Sequence, residues 1–174
     1  MSRRQPDLMI DGMRLPLQAG GLIQQAYEDF GGFTLLRLGQ GMGVPQQAWR
    51  KTRTTLNASG LIPPGLSGRD WTAPFALGCV HPRSLQAAGN VFALPPARRA
   101  DAPPFGFAVD ATGLIKPVHV VVAGDTATLA VVAGAVSYQV LWYPVMTVYA
   151  LAGVQANYDA AGAVAGWELV AEEV

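Results

Sequence analysis

Two histidines, His81 and His119, and one cysteine, Cys79, are the side chains of this chain that titrate nearest neutral pH. Cys79 and His81 stand two apart and would share one face of a strand, the arrangement a thiol nucleophile and its base require. The apolar setting Leu77-Gly78-Cys79-Val80 describes a packed thiol instead, and His119, in a run of valines, reads as a core or interface histidine. A structural zinc needs four ligands, so one cysteine and two histidines would have to recruit a distant carboxylate. Glu172 and Glu173 are adjacent, which on a strand turns them to opposite faces and denies them the role of paired acid and base. Gly39, Gly41 and Gly43 spell G-x-G-x-G, but a dinucleotide fingerprint continues into a helix and Val44-Pro45 argues against one. These residues assign no catalytic, cofactor or metal site, and the chain does not read as an enzyme.

Trp49-Arg50-Lys51-Thr52-Arg53 is a basic cluster beside an aromatic, the one feature that points toward nucleic acid. The net charge of zero opposes it, because phosphate-binding domains carry an excess of positive charge. The cluster reads as a solvated or intersubunit strand, with no nucleic-acid partner.

The elements that would position these residues are strands. Val136–Ala150, VSYQVLWYPVMTVYA, is crowded with valine, tyrosine, tryptophan and threonine, and reads as the central strand of the fold. With period two, Val136, Tyr138, Val140, Trp142, Met146 and Val148 make a core face. Ser137, Gln139, Leu141, Tyr143, Val145, Thr147 and Tyr149 make an amphipathic face suited to a subunit contact.

Around it the punctuation is that of an all-β chain. Asp11-Gly12 between apolar segments predicts a tight hairpin. Leu22–Phe30 and Phe33–Leu38 read as a pair joined at Gly31-Gly32, GQGMG at 39–43 as a further turn, and Val44–Asn57 as a longer strand. A helix over Gly20–Asp29 competes, since LIQQAYEDF holds good helix formers. Prolines and glycines across 59–104 exclude long regular elements there, while Trp71, Phe75, Leu77, Val91, Phe92 and Leu94 make that segment too apolar for a disordered linker. Strands return at Phe105–Asp110, Leu114–Ala123, Thr126–Val132, Val154–Tyr158 and Ala163–Val170, the last two joined by a turn at Asp159–Gly162. The expected fold is one β domain over 1–174, a β-sandwich or barrel built from hairpins, with a polar N-terminal arm at 1–7 and an ordered Pro-rich insertion at 59–104.

Composition limits the surroundings. Charged residues are 14% of the chain against about 25% in an average globular protein, and hydrophobic residues reach 51%. A surface so poor in charge needs a membrane or a covering of partners. The uncharged run from Asp125 to Asp159 exceeds the ~20 residues of a spanning helix, but Gly134, Ser137, Gln139, Pro144 and Gly153 interrupt it and its β-branched residues alternate. No membrane span is expected. Arg3-Arg4 runs into Gln5-Pro6-Asp7 with no apolar stretch, which argues against a secretory leader, and a single cysteine agrees with a reducing cytoplasm.

Two segments carry a resemblance. GGFTLLRLGQGMGVPQQAWRKTRTTLNASGLIPPGL, residues 31 to 66, and YQVLWYPVMTVYA with GWELVAEEV, residues 138 to 150 and 166 to 174, resemble small structural proteins of the tail tip or baseplate of long-tailed bacteriophages, similar in role to the distal tail protein. The resemblance implies a β-sandwich or barrel forming a homo-oligomeric ring that joins the tail tube to the hub, fibre or receptor-binding apparatus of the virion, made in the host cytoplasm. It carries over only structural positions: the Ile62-Pro63-Pro64-Gly65-Leu66 turn, and Trp167, Leu169, Glu172 and Glu173. The Pro-rich Ser67–Pro104 departs from the family's common domain.

The alternative from another class is a small β-barrel binding a ligand or carbohydrate through Trp71, Trp142 and Tyr143. For the ring, charge suggests which surfaces meet. Residues 1–100 hold 11 basic against 5 acidic residues, +6, while 101–174 hold Lys116 against 7 acidic residues, −6. Opposite-signed surfaces suit a head-to-tail contact. The candidate subunit interface is therefore Arg50, Lys51 and Arg53, with Arg37, Arg98 and Arg99 of the same sign, against Glu168, Glu172 and Glu173, together with Leu141, Tyr143 and Tyr149 of the amphipathic face. Intermixing of the two halves within one sandwich would remove the asymmetry.

Overall fold

The computed structural model describes residues 5–61, 64–160 and 164–174. Residues 1–4 of the expected arm, Ile62 and Pro63 of the expected turn, and residues 161–163 at the last hairpin lie outside the described residues. The chain is all-β, with 56% of it in strands. Strands β1 (Met9–Ile10) and β2 (Met13–Arg14) form a hairpin, a 3-10 turn follows at Leu17–Ala19, and β3 (Gln24–Arg37) and β4 (Gly43–Ala58) run 14 and 16 residues. Then come β5 (Phe75–Gly78), β6 (Arg83–Ala87), β7 (Val91–Ala93), β8 (Phe105–Asp110), β9 (Ile115–Val118), β10 (Val120–Ala123) and β11 (Thr126–Leu129). Strands β12 (Ala135–Trp142), β13 (Val145–Tyr149), β14 (Val154–Tyr158) and β15 (Val164–Glu173) complete the chain.

These strands divide into two compact units, Met9–Leu77 with Thr147–Val174, and Gly78–Met146 with the residues up to Leu8. The second unit is a sandwich. A four-stranded sheet, β6-β12-β8-β9, and a three-stranded sheet, β10-β11-β7, share one core of Phe92, Leu94, Ala108, Ala127, Leu129, Tyr138, Val140 and Trp142. Tyr138, Val140 and Trp142 are the alternate residues of β12, so the period-two reading of its inner face holds, except that Val136 is exposed. Within this unit the guanidinium of Arg99 is buried. Asp101 takes its Nε and Nη2 at 2.9 and 2.6 Å, and its Nη1 donates to the carbonyls of Asp7, Cys79 and Gly78 at 2.6, 3.1 and 3.2 Å.

The first unit is built on the other sheet, in the order β2-β1-β5-β13-β15-β4-β3, with β14 also paired to β15. Asp11 and Gly12 both take positive φ, as a type I′ turn demands, and the hairpin they close is tied to β5 by Asp11 N to Ala76 O at 2.9 Å and Ala76 N to Asp11 Oδ1 at 2.8 Å. One face of the sheet is apolar: Leu56 on β4, Trp167, Leu169 and Ala171 on β15, Val148 on β13, Phe75 and Leu77 on β5. Thr54 is buried among them with its hydroxyl donating to Ala26 O at 2.9 Å and accepting from Gln25 Nε2 at 2.9 Å, so its burial leaves no polar atom unpaired.

The strand expected over Leu22–Phe30 prevails over the competing helix: Gln24 onward is strand, because cross-strand pairing to β4 outweighs a weak helix propensity. Other expectations are corrected. Gly31-Gly32 is not a turn but lies inside β3, and the turn falls at 38–42. The expected central strand is two, since Tyr143-Pro144 ends β12 and β13 joins the other sheet. Leu114–Ala123 likewise divides at His119 into β9 and β10 of different sheets, and His119 is exposed. The Pro-rich segment supplies β5, β6 and β7, one to each sheet.

Candidate functional site

β3 and β4 stay paired from Gln24↔Asn57 to Arg37↔Gly43, yet β15 accompanies β4 only over Arg53–Ala58. Beyond Lys51 the hairpin has no neighbouring strand among the described residues and continues as a two-stranded arm over 31–49. Its turn is closed by Leu38 N to Met42 O at 3.0 Å and Gly41 N to Leu38 O at 2.7 Å, with Arg37 Nη1 donating to Gly41 O at 3.2 Å. Gly41 takes a positive φ there.

Register assigns the faces of the arm. Phe33 and Leu35 stand opposite Gln47 and Pro45 on one face; Leu36 stands opposite Val44 on the other, where the alternation also brings Leu38 and Met42. All six large apolar side chains are exposed, from 36% for Val44 to 65% for Met42. Fully burying such a side chain is worth about 1.5–3 kcal/mol, and a lone two-stranded ribbon is marginal in water. The arm therefore presents exposed apolar side chains on both of its faces.

The base of the arm is held by aromatics. Phe30 and Trp49 meet edge to face with centroids 5.5 Å apart. A Cβ on Gly31 would lie 2.2 Å from the carbonyl oxygen of Trp49, so only glycine lets the two strands approach here, beside the bulge between Gly32 and Phe33. Next to this base lies a groove of about 490 Å3 lined by Phe30, Trp49, Lys51, Tyr149, Leu151, Ala152, Val170, Glu172, Glu173 and Val174. Register explains the gathering: Glu28, Arg53, Glu172 and Tyr149 form one row across β3, β4, β15 and β13, with Phe30↔Lys51 the next pair outward.

Of the expected interface residues, Lys51, Tyr149, Glu172 and Glu173 line this groove and Arg53 borders it. The others lie elsewhere. Arg50 pairs with Asp29 at the arm base, Glu168 stands in a separate polar groove with Gln24, Asn57 and Gln155, Leu141 is half-buried on β12, and Tyr143 is buried. The expected division into a basic and an acidic surface is corrected as well. Arg53 pairs with Glu172, Arg98 with Asp125 and Arg99 with Asp101 inside the chain, because antiparallel pairing and turns bring the two halves of the sequence side by side. Arg53 is held more firmly protonated than an ordinary arginine, chiefly by its hydrogen bond to Glu172.

Cys79 is buried with its amide donating to Pro144 O at 3.0 Å, and His81 approaches Gln5 at 3.2 Å. Among the described residues no three His, Cys, Asp or Glu side chains are grouped to hold a metal ion, and no helix is long and apolar enough to cross a membrane. Trp142 and Tyr143 are buried, and Trp71 packs on Phe75 at 5.4 Å with Arg69 over both rings, so these aromatics do not form an open sugar platform.

Comparison with protein-family models, with curated proteins and with solved structures finds no match. The arm is the feature sequence reasoning missed. Its signal was present in FTLLRL and MGVPQQAW, apolar at both odd and even positions around GQGMG, a pattern that one buried face cannot satisfy.

Proposed function

We propose that this protein is a structural component of a bacteriophage tail tip or baseplate, a homo-oligomer whose copies form a ring joining the tail tube to the hub or receptor-binding apparatus. The observation that carries the reading is the arm: 19 residues, 31–49, with seven exposed large apolar side chains, Trp49 at its base among them, and one charge, Arg37. A side chain of a ligand-binding module has no need of such an arm, whereas a subunit that must be covered by its neighbours does. The low charge of the whole chain supports the same reading, since surface buried in an assembly needs no ionic hydration. The arm also coincides with the first segment that resembles tail-tip proteins, residues 31 to 66.

Light scattering coupled to size exclusion, with negative-stain microscopy of the same fractions, tests it. A discrete ring of copies is expected. A clean monomer at every concentration, accompanied by saturable binding of a saccharide, overturns the ring and supports the ligand-binding alternative.

A further inference from the structure

We propose that the polar groove of the first unit is a binding site for a neutral saccharide, recognised by a row of carboxamides and the carboxylate of Glu168. The proposal goes beyond the ring reading and does not depend on it, since the residues lining this groove belong to one unit of one chain.

Register builds the site. Gln24 stands opposite Asn57, Asn57 opposite Glu168 and Glu168 opposite Gln155, a single row across β3, β4, β15 and β14. Directly opposed residues share a face, and alternation with the buried Leu56, Trp167 and Leu169 turns this row to the outer one. Two residues along, Asn157 pairs with Gly166, and Ser59 follows Asn57 at the same interval. A glycine thus stands in the second row where its neighbours carry side chains, and a Cβ on it would meet nothing nearer than Ala58 O at 3.6 Å. The groove around this gap holds about 490 Å3, inside the roughly 300–1,000 Å3 of small-molecule sites.

The polar groups of the groove are left for a ligand. Further along the same face Arg53 is held by Glu172 and Glu28, and Lys51 donates to the carbonyl of Val174. Among the described residues, by contrast, the side chains of Gln24, Asn57, Gln155, Asn157 and Glu168 make no hydrogen bond or ion pair.

Their chemistry selects what binds. A carboxamide both donates and accepts, as a hydroxyl does, and the Glu168 carboxylate can accept from two hydroxyls at once. Glu168 is the one charged residue among the described ones that line the groove, so a phosphate or a carboxylate is repelled. An amine supplies donors only and would leave the carboxamide N–H groups unanswered. An extended peptide sets its polar groups along one line, whereas these form a patch two rows deep across four strands. A pyranose, with a hydroxyl on most of its carbons, matches that density, and Leu22, 82% exposed beside them, offers its C–H face an apolar contact.

Saturation-transfer difference NMR on the full chain tests this, with the methyl glycosides of glucose, galactose, mannose and N-acetylglucosamine as probes. At least one should bind saturably, with a dissociation constant on the order of 1 mM, as expected of a hydrogen-bonded site open to water. Gly166→Val fills the gap without a clash and suits a strand, so it should fold as the wild type does, which circular dichroism checks, and weaken that binding about tenfold or more. Glu168→Gln keeps the shape and should weaken it several-fold, because hydrogen bonds to a carboxylate are the stronger ones. Wild-type affinity in Gly166→Val, or no saturable binding of any of the four probes, overturns the proposal. Glucosamine that binds more tightly than every neutral probe, and loses that advantage in Glu168→Gln, overturns it in favour of an amine site.

Discussion

Arg53 donates from Nε to Glu172 Oε1 at 2.8 Å, directly across the β4–β15 pair, although 119 residues separate the two in sequence. The second nitrogen of the same fork, Nη2, lies 2.7 Å from the same oxygen, and Nη1 reaches Glu28 at 3.5 Å. The row Glu28, Arg53, Glu172 alternates in sign across three strands at the mouth of the groove.

Reversing one member of that row should destabilise the sheet. Arg53→Glu places three carboxylates side by side and should lower the melting temperature, and Glu172→Arg should do so through two guanidiniums. The double exchange, Arg53→Glu with Glu172→Arg, restores the central pair and should recover most of the loss at low salt. Thermal melts of the three variants check this; additive losses in the double variant would show that the pair has no coupling.

Trp167 is buried and its indole Nε1 donates to Ala19 O at 2.7 Å. Trp167→Phe keeps an aromatic ring but leaves that carbonyl without its donor, at a cost of about 1–3 kcal/mol. Trp167→Ala adds a cavity and should cost about 3–5 kcal/mol. Urea unfolding monitored by circular dichroism separates the two, and equal midpoints for Trp167→Phe and wild type would show that the bond contributes nothing.

Arg99 supplies donors to the carbonyls of Asp7, Gly78 and Cys79 in the sandwich unit. Arg99→Met fills similar length without donors, so those carbonyls lose their partner and Asp101 its counter-charge; the expected loss is about 2–4 kcal/mol. Arg99→Lys should recover only part of it, since an ammonium cannot grip Asp101 with two parallel bonds. Denaturation in which lysine matches arginine would contradict the role of the planar fork.

Acid should loosen the hairpins selectively. Asp11 is held below the ordinary 3.8 of a carboxylate chiefly by its bond from Arg69, then by the Ala76 amide. Asp110 is lowered by the Thr112 hydroxyl and amide, and Asp70 by the Thr72 amide and hydroxyl. A carboxylate with a lowered folded-state value contributes stability that is complete above its unfolded value and disappears as pH falls through the folded one. The melting temperature should therefore fall as pH is taken below about 4, and the fall should be shallower in Asp11→Asn, which keeps the left-handed turn but has no charge to lose. Identical pH profiles for the variant and wild type would remove Asp11 from this account.

What the sequence determined by itself is local. Alternation of β-branched and aromatic residues sets the strands and the buried face of β12, and Asp11-Gly12 sets its turn because few other pairs accept positive φ twice. The bounds of Phe105–Asp110 and Val154–Tyr158 are equally legible, since glycine and turn residues flank both.

What only the tertiary structure decided is partnership. Nothing within Val136–Ala150 shows that Tyr143-Pro144 sends its two halves to different sheets, because a strand's neighbours lie far away in sequence. Nothing local places Arg53 against Glu172, and the net charges of the two halves of the chain cancel only once β4 lies beside β15. The arm depends on the same fact. Residues 24–30 and 31–37 belong to one continuous strand, but β15 reaches β4 only as far as Arg53, and the length of that third strand is what leaves Phe33, Leu36, Leu38 and Met42 without cover. Hydrophobic patterning specifies that a side chain must be buried; which surface buries it is set by long-range pairing, which the pattern does not encode.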